Sequence, residues 1–145
     1  MNLLAAAHSS IDVDIRYKIK IGDIRELGDY KKLTIWQKSM DLSVEIYKLT
    51  RSLPDNENFC LCSQMRRAVV SIPSNIAEGH TRQSKKEFIH FLRIAQGSNS
   101  ELETQLLLCE RLLYLTENEI HLALSLCEEI DKMINSLIKK QKSFN

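Results

Sequence analysis

Glycine and proline are scarce in this chain, which has four glycines and two prolines, Pro54 and Pro73, among 145 residues. A fold built from many short strands needs a breaker at each turn, so this scarcity argues against a turn-rich β fold and favours long helices. Aromatic residues make up only 6% of the chain. Leucine and isoleucine therefore dominate the apolar set, which is typical of helix cores.

Long hydrophobic runs are also missing, since none approaches the ~18 apolar residues that a membrane-spanning helix needs. The N-terminal sequence MNLLAAAHSS has no positively charged region, and its apolar stretch is too short for a signal peptide. We therefore expect no membrane segment. Without a secretion signal, we expect reduced cysteines and a cytoplasmic location.

Sequence motifs for catalysis or metal binding are absent as well. The chain has no Gly-rich phosphate loop, no H-E-x-x-H and no G-x-S-x-G. Cys60 and Cys62 form a C-x-C pair, but no second pair stands at zinc-ligand spacing. Glu87 and His90 form one E-x-x-H unit, whereas a di-metal helical bundle needs two. We predict a protein that is not an enzyme and holds no cofactor or metal.

Charge is nearly balanced overall, at +1, but it is unevenly distributed along the chain. Residues 58–97 carry six basic residues against two acidic ones, and residues 101–131 carry eight acidic residues against one basic residue. The basic segment is a candidate surface for nucleic acid. The candidate binding residues are Arg66, Arg67, Arg82, Lys85, Lys86 and Arg93. Arg82, Lys85 and Lys86 fall in a loop and the first turn of a helix, where we expect them to be exposed.

Residues 1–29 differ from the rest of the chain. The stretch IDVDIRYKIKI, residues 11–21, alternates apolar and polar residues and is rich in β-branched side chains. This period of two is typical of a strand, which would need a partner in a hairpin or in a second subunit. A poorly ordered extension is the other interpretation. Either way, we place the folded domain at residues 30–145.

From Tyr30 onwards, the apolar residues recur at helical spacing and predict four helices. The predicted helices run from about Ile35 to Ser52, from Asn58 or Cys62 to Glu78, from Ser84 to Leu115, and from Thr116 into the basic tail. Thr34 is the expected N-cap of the first helix and Gly79 the expected C-cap of the second. Ser84 with Glu87, and Thr116 with Glu119, match the capping box.

Short connections between four helices predict an all-α, antiparallel up-down-up-down bundle. The apolar stripes of the third and fourth helices are wider than one core requires, which indicates a contact between subunits. We therefore expect a homo-oligomer. The alternative is a single broad core that the N-terminal extension covers.

Pro73 lies inside the second predicted helix, where a proline removes one hydrogen bond and crowds the carbonyl of Val69. We predict a kink near residues 72–74 that packs against the small polar segment around Gly97. A buried polar network at this contact would fix the register of the helices. Its candidate members are Ser71, Asn75, Glu78, Ser98 and Glu101. A ligand or nucleic-acid contact at the kink is the alternative.

Four segments together resemble a known family. They are YKKLTIWQKS (30–39), QMRRAVVSIPSNIAEG (64–79), RQSKKEF (82–88) and FLRIAQGSNSELE (91–103). These segments are similar to the four-helix bundle proteins encoded within intervening sequences of bacterial 23S ribosomal RNA genes. The resemblance covers residues 30–140, whereas residues 1–29 lie outside the family pattern.

The resemblance implies a bundle that assembles as a homopentamer. A more distant relative, the accessory protein of diversity-generating retroelements, has the same pentameric bundle and binds nucleic acid and a reverse transcriptase. The resemblance therefore favours binding of RNA or DNA through the basic surface. The alternative is a protein–protein scaffold or adaptor without a nucleic-acid role, supported by the wide apolar stripes.

Overall fold

The structure is a computed structural model that describes residues 22–144. It contains four long helices, namely α1 (Thr34–Thr50), α2 (Leu61–Thr81), α3 (Lys85–Arg111) and α4 (Glu117–Ser143). Three short 3-10 helices lie at Ile24–Glu26, Tyr30–Lys32 and Asp55–Glu57. No strand occurs between residues 22 and 144, so the predicted all-α fold is confirmed. The strand-like stretch at residues 11–21 lies outside the described residues.

The four helices pack together as the predicted four-helix bundle. Each helix contacts the next one along the chain, and α4 returns to contact α1. The apolar face of α3 shows the arrangement, since Phe88, Leu92, Leu102 and Leu106 are all fully buried at helical spacing. Phe88 is the largest of the fully buried side chains.

Ser84 and Thr116 are the N-caps of α3 and α4, as predicted, whereas Thr34 is not the N-cap of α1. The capping box of Thr116 and Glu119 is confirmed, because each side chain accepts a hydrogen bond from the other residue's backbone N–H, at 3.2 and 2.7 Å. Ser84 accepts from the N–H of Glu87 at 3.4 Å, but the reciprocal bond is not made. The prediction for Thr34 is wrong. Leu33 is the N-cap, because its carbonyl already accepts the first helical bond, from Gln37.

The predicted C-cap role of Gly79 is also wrong, since α2 continues to Thr81. Gly79 is buried inside the helix, and a Cβ atom there would lie 2.6 Å from the Cβ of Phe91. Glycine is therefore required at this position so that α2 and α3 can approach closely. Gln83 takes the left-handed conformation after the helix instead, with φ of 53°.

Helix α3 ends earlier than the predicted Leu115. Leu113 adopts a left-handed conformation with φ of 60°, although it is not a glycine. The N–H of Tyr114 then bonds to the carbonyl of Cys109 at 2.9 Å, and that of Leu113 to the carbonyl of Glu110 at 3.0 Å. These two bonds form a Schellman motif, which ends the helix.

Pro73 is accommodated within α2, which is helical from Leu61 to Thr81. Proline has no N–H to offer the carbonyl of Val69. The hydroxyl of Ser43, on α1, donates to the carbonyl of Ser39 at 2.8 Å and lies 3.4 Å from the carbonyl of Val69. The kink predicted at residues 72–74 does not interrupt the helix.

The segment before α1 packs onto the bundle. Ile24 is only 1% exposed and belongs to the core. Its N–H donates to Oε1 of Gln141 at 3.0 Å, and Nε2 of Gln141 donates to the carbonyl of Gly22 at the same distance. The packed unit therefore begins before residue 30, the boundary expected from the sequence.

Candidate nucleic-acid interface

The antiparallel connectivity brings three basic segments to one end of the bundle. These are the turn before α1, the turn between α2 and α3, and the C-terminal part of α4. We call this surface the basic end, and its basic residues are Lys31, Lys32, Arg82, Lys86, Lys139, Lys140 and Lys142. Four acidic residues, Glu26, Asp29, Glu78 and Glu87, lie at the same end. The lysines near the C-terminus of α4 also complement the negative end of the helix dipole.

Acidic residues gather at the opposite end. There the α1–α2 loop meets the α3–α4 turn, and we call this surface the acidic end. Its acidic residues are Asp55, Glu57, Glu110, Glu117 and Glu119. Lys48, Arg51 and Arg111 also lie at the acidic end, so its excess of negative charge is modest. An approaching polyanion is therefore attracted more strongly to the basic end than to the acidic end.

The six candidate residues do not form one surface. Arg82, Lys85 and Lys86 lie at or next to the basic end, and Arg93 follows two turns into α3. Arg66 and Arg67 lie in the first half of α2. They are some 15 residues before Arg82, which is ~22 Å at 1.5 Å per residue. The structure thus divides the set into two groups.

Lys85 is not the exposed cation that its position predicts. Its ammonium group lies 3.1 Å from Oδ2 of Asp23 and donates to the carbonyl of Phe144. Only 25% of its side chain is exposed. Lys85 therefore connects the segment before α1 with the start of α3 and the end of α4. This role depends on tertiary contacts and cannot be inferred from the sequence.

Asp23 is the partner that holds Lys85. The side chain of Arg25 donates to it at 2.7 and 3.0 Å, and the backbone N–H of Arg25 donates at 3.1 Å. These bonds, together with Lys85, hold the pKa of Asp23 well below its usual range. Asp23 is therefore ionised at neutral pH and neutralises part of the positive charge at this end.

The other candidate residues differ in whether they form ion pairs. Arg82 pairs with Glu78 at 3.0 Å, and its guanidinium lies 5.6 Å from the ring centroid of Phe91. Lys86, Arg93 and Arg67 are exposed and form no ion pair with any residue between 22 and 144. These three remain available to an external anion.

Sequence reasoning missed Lys31, Lys32, Lys139, Lys140 and Lys142 as parts of a shared surface. The signal was present, because both segments contain adjacent lysines, although Asp29 stands two residues before Lys31. The segments are more than 100 residues apart in the chain, however. Only the antiparallel path of the helices places them at the same end.

Arg66 is fixed in position by α1. Its Nε donates to Oγ1 of Thr50 at 2.9 Å, and its guanidinium lies 4.7 Å from the ring centroid of Tyr47. Arg66 and Arg67 both line an open groove of about 720 Å³ on the outer side of α2. The other lining residues are Tyr47, Asn58, Phe59, Ser63, Val70, Ser71 and Ser74.

The structure joins three of the five candidate network residues. The hydroxyls of Ser71 and Ser98 lie 2.9 Å apart and connect α2 to α3. Nδ2 of Asn75 donates to the carbonyl of Ser71 at 2.7 Å and to its hydroxyl at 2.8 Å. Glu78 pairs with Arg82, and Glu101 accepts from Gln105 at 3.2 Å, so both lie outside this network.

A second polar contact between helices was not anticipated. Asn99 is 2% exposed, and its Nδ2 donates to the carbonyl of Cys127 at 2.8 Å, linking α3 to α4. An asparagine within a helix is an ambiguous signal, because its side chain also serves turns and caps. The role of Asn99 depends on α4, which lies beside α3 in the fold.

The buried cysteines are poorly suited to chemistry. Burial raises the pKa of Cys109 to about 11 and that of Cys127 to about 12, so both are protonated at neutral pH. No group of three or more His, Cys, Asp or Glu residues that could hold a metal ion occurs in the described range. No helix among residues 22–144 is long and apolar enough to cross a membrane.

His80 is a buried titratable group beside the basic end. It is 4% exposed, its Nε2 has no hydrogen-bond partner among the described residues, and its ring lies between those of Tyr30 and Phe88. Burial lowers the pKa of His80, and Asp29 partly opposes that effect. The folded protein therefore holds this histidine neutral.

We expect His80 to make the protein less stable in mild acid. Because the pKa of His80 is lower in the folded state, the unfolded chain binds more protons below the ordinary value of about 6.5. The free energy of unfolding will thus fall with pH below about 6.5, with a contribution from His80 of at most ~1.4 kcal/mol per pH unit. Urea unfolding of the wild type and of His80→Phe at several pH values measures this slope.

The control for this measurement is His121→Gln, which removes an exposed histidine. The His80→Phe variant should lose most of the slope between about pH 6.5 and 5, and the His121→Gln variant should keep it. Equal slopes in the wild type and in His80→Phe would contradict the assignment.

Comparison with known proteins gives the family. A model of the 23S rRNA-intervening sequence protein matches residues 31–136. A crystal structure of a protein of unknown function from Bacteroides thetaiotaomicron, of the S23 ribosomal protein family, is similar at 32% identity with a TM-score of 0.68. The match covers 73% of this chain and 99% of that one. No curated protein matches this chain. The chain belongs to the family of 23S rRNA-intervening sequence proteins.

Proposed function

We propose that this protein is a non-enzymatic, self-associating bundle that binds nucleic acid through its basic end. The observation that carries the proposal is the separation of charge along the bundle. Lys31, Lys32, Lys86, Lys139 and Lys142 are exposed together at one end, although the whole chain has a net charge of only +1. Lysines arranged in this way contact phosphates without reading base sequence.

Self-association would strengthen such binding. If copies assemble with their basic ends on the same side, each copy adds its lysines to a shared surface, and the attraction for a polyanion grows accordingly. A homopentamer, as the family resemblance implies, would place five basic ends together. The binding would be insensitive to sequence and would weaken steeply with salt.

The experiment that tests the proposal is a fluorescence-anisotropy titration of the purified protein. Labelled duplex DNA and a structured RNA are the probes, at about 50 and about 200 mM salt. Saturable binding that weakens at least ~10-fold at the higher salt supports the basic end as the working surface. No binding at the lower salt would exclude the proposal and favour the scaffold.

A scaffold function is the second candidate, because one outer face of the bundle is apolar. Met40, Val44 and Tyr47 follow one another at helical spacing on α1, and they are 41%, 70% and 40% exposed. Val70 on α2 is 41% exposed. We call these four residues the apolar face. Exposed apolar residues grouped in this way are typical of protein–protein contacts, and the contact can be with a second copy.

We expect Val44→Glu to disrupt self-association with little effect on the fold. Val44 is the most exposed residue of the apolar face, so a buried carboxylate there would oppose an interface but would remain hydrated in a monomer. Light scattering after size-exclusion chromatography measures the mass of the assembly. The matched control is Ser136→Glu, an exposed position on α4.

The result expected is a monomer for Val44→Glu and an unchanged assembly for Ser136→Glu. A Val44→Glu variant with the mass of the wild-type oligomer would exclude the apolar face as the subunit contact. A wild-type protein that is itself a monomer would exclude self-association.

A further inference from the structure

The groove on the outer side of α2 is shallow and open to solvent, and its lining is largely cationic and polar. Its volume is about 720 Å³. Its side chains supply two guanidinium groups, two aromatic rings, one amide, three serine hydroxyls and the hydroxyl of Tyr47. None of the described residues that line it is a carboxylate, so the groove favours an anionic ligand.

The two arginines are arranged to bind a phosphate. Arg66 uses its Nε on Thr50 and packs over Tyr47, so its side chain is already ordered. Its two terminal nitrogens form no hydrogen bond with any residue between 22 and 144 and remain free to donate. Arg67 is exposed beside it. A guanidinium that is held in place loses little freedom when its planar fork meets a phosphate.

Phe59 adds a free aromatic surface at the edge of the same groove. It is 97% exposed, which makes it the most exposed large hydrophobic residue of the described chain. The ring of Tyr47 is covered by Arg66, but no aromatic or cationic group packs on Phe59 among residues 22–144. An open ring next to two arginines is the arrangement that stacks an unpaired base and holds its phosphate.

We propose that this groove binds a segment of single-stranded nucleic acid. One base stacks on Phe59, and the adjacent phosphates contact Arg66 and Arg67. The hydroxyls of Ser63 and Ser74 and the amide of Asn58 line the rest of the site and face the sugar or the base edge. A duplex has no unpaired base to offer Phe59, so this site is selective for single strands, whereas the basic end accepts both.

This inference rests on the proposed function for the class of ligand, but it concerns a surface other than the basic end. The groove shares Tyr47 and Val70 with the apolar face, so a strand in the groove and a second copy on that face exclude each other. The groove and the basic end lie ~12 to ~22 Å apart along α2, measured to Arg82 from Ser74 and from Arg67. They can therefore be tested with different probes and with different variants, so that failure of one is distinguished from failure of the other.

The test uses anisotropy with labelled oligo-U and oligo-dT of about 10 nucleotides, a length suited to one such site. Every titration with these single strands is made in the background of Lys86→Glu, Lys139→Glu and Lys142→Glu, because the basic end also accepts single strands. Phe59→Ala should weaken binding of the single strand by about 5- to 150-fold, the range measured for the loss of one stacked base. Arg67→Gln should weaken it and lower the salt slope by about 0.7. Leu122→Ala, at another exposed apolar position on α4, is the matched control and should change nothing.

Duplex DNA separates the two proposals. Phe59→Ala should leave duplex binding unchanged, whereas Lys86→Glu combined with Lys139→Glu and Lys142→Glu should weaken it on the order of 100-fold. Unchanged single-strand affinity in Phe59→Ala overturns the groove proposal. If that variant also changes the mass of the assembly, the groove is a contact between subunits. Tighter binding of oligo-U than of oligo-dT would identify RNA as the ligand.

Discussion

Reversing the charge of Lys86, Lys139 and Lys142 will weaken binding of duplex DNA on the order of 100-fold at about 50 mM salt. All three side chains are exposed at the basic end and form no ion pair with the rest of residues 22–144. Each lost phosphate contact lowers the slope of log affinity against log salt by about 0.9 for duplex DNA. The triple variant should therefore show a slope smaller by about 3, measured by anisotropy at several salt concentrations.

The matched control reverses three cations at the other end of the bundle. Lys48→Glu, Arg51→Glu and Arg111→Glu change the net charge by the same amount, and all three residues are exposed. This control should keep the wild-type salt slope. If both triple variants lose affinity equally, net charge and not the basic end determines binding. Thermal unfolding of each variant shows whether the fold is retained.

Two glycine-to-alanine changes will have opposite effects on stability. At Gly79 the added Cβ would lie 2.6 Å from the Cβ of Phe91 and 3.2 Å from the ring of Phe88, so α2 and α3 must separate. We expect the free energy of unfolding to fall by about 1–3 kcal/mol. At Gly97 nothing lies within 4 Å of the added Cβ. We expect the free energy of unfolding to rise by about 1 kcal/mol there, because alanine favours the helix more than glycine does.

Urea unfolding of the two variants and the wild type measures both effects in one experiment. Both substitutions add the same methyl group inside a helix, so each serves as the control for the other. Stabilisation by Gly79→Ala would mean that α2 and α3 do not pack as closely as described. Destabilisation by Gly97→Ala would indicate that this surface is covered, for example by a second subunit.

The helices were predictable because their signals are local. Helical spacing of apolar residues located all four, and Thr116 with Glu119 marked the start of α4 to the residue. The end of α3 was missed because Leu113 takes the left-handed conformation that sequence rules reserve for glycine and asparagine. The role of Gly79 was missed because it depends on Phe91, a residue of a different helix.

The candidate site was only partly predictable, because a basic segment of sequence need not form a basic surface in the fold. Residues 58–97 are basic as a segment, yet Arg66 is held by Thr50, and Lys85 is tied to Asp23. The groove could not be predicted from residue spacing, since it needs Tyr47 of α1 beside Arg66 of α2. Contacts between helices decided each of these outcomes.

Lysine footprinting tests most directly whether the basic end binds nucleic acid. The protein is acetylated with and without saturating duplex DNA, and the modification of each lysine is measured by mass spectrometry. If the basic end binds nucleic acid, the duplex will protect Lys86, Lys139 and Lys142 and leave Lys48, on the far half of α1, fully reactive. Protection of Lys48 equal to that of the other three, or protection of none of them, would contradict the account.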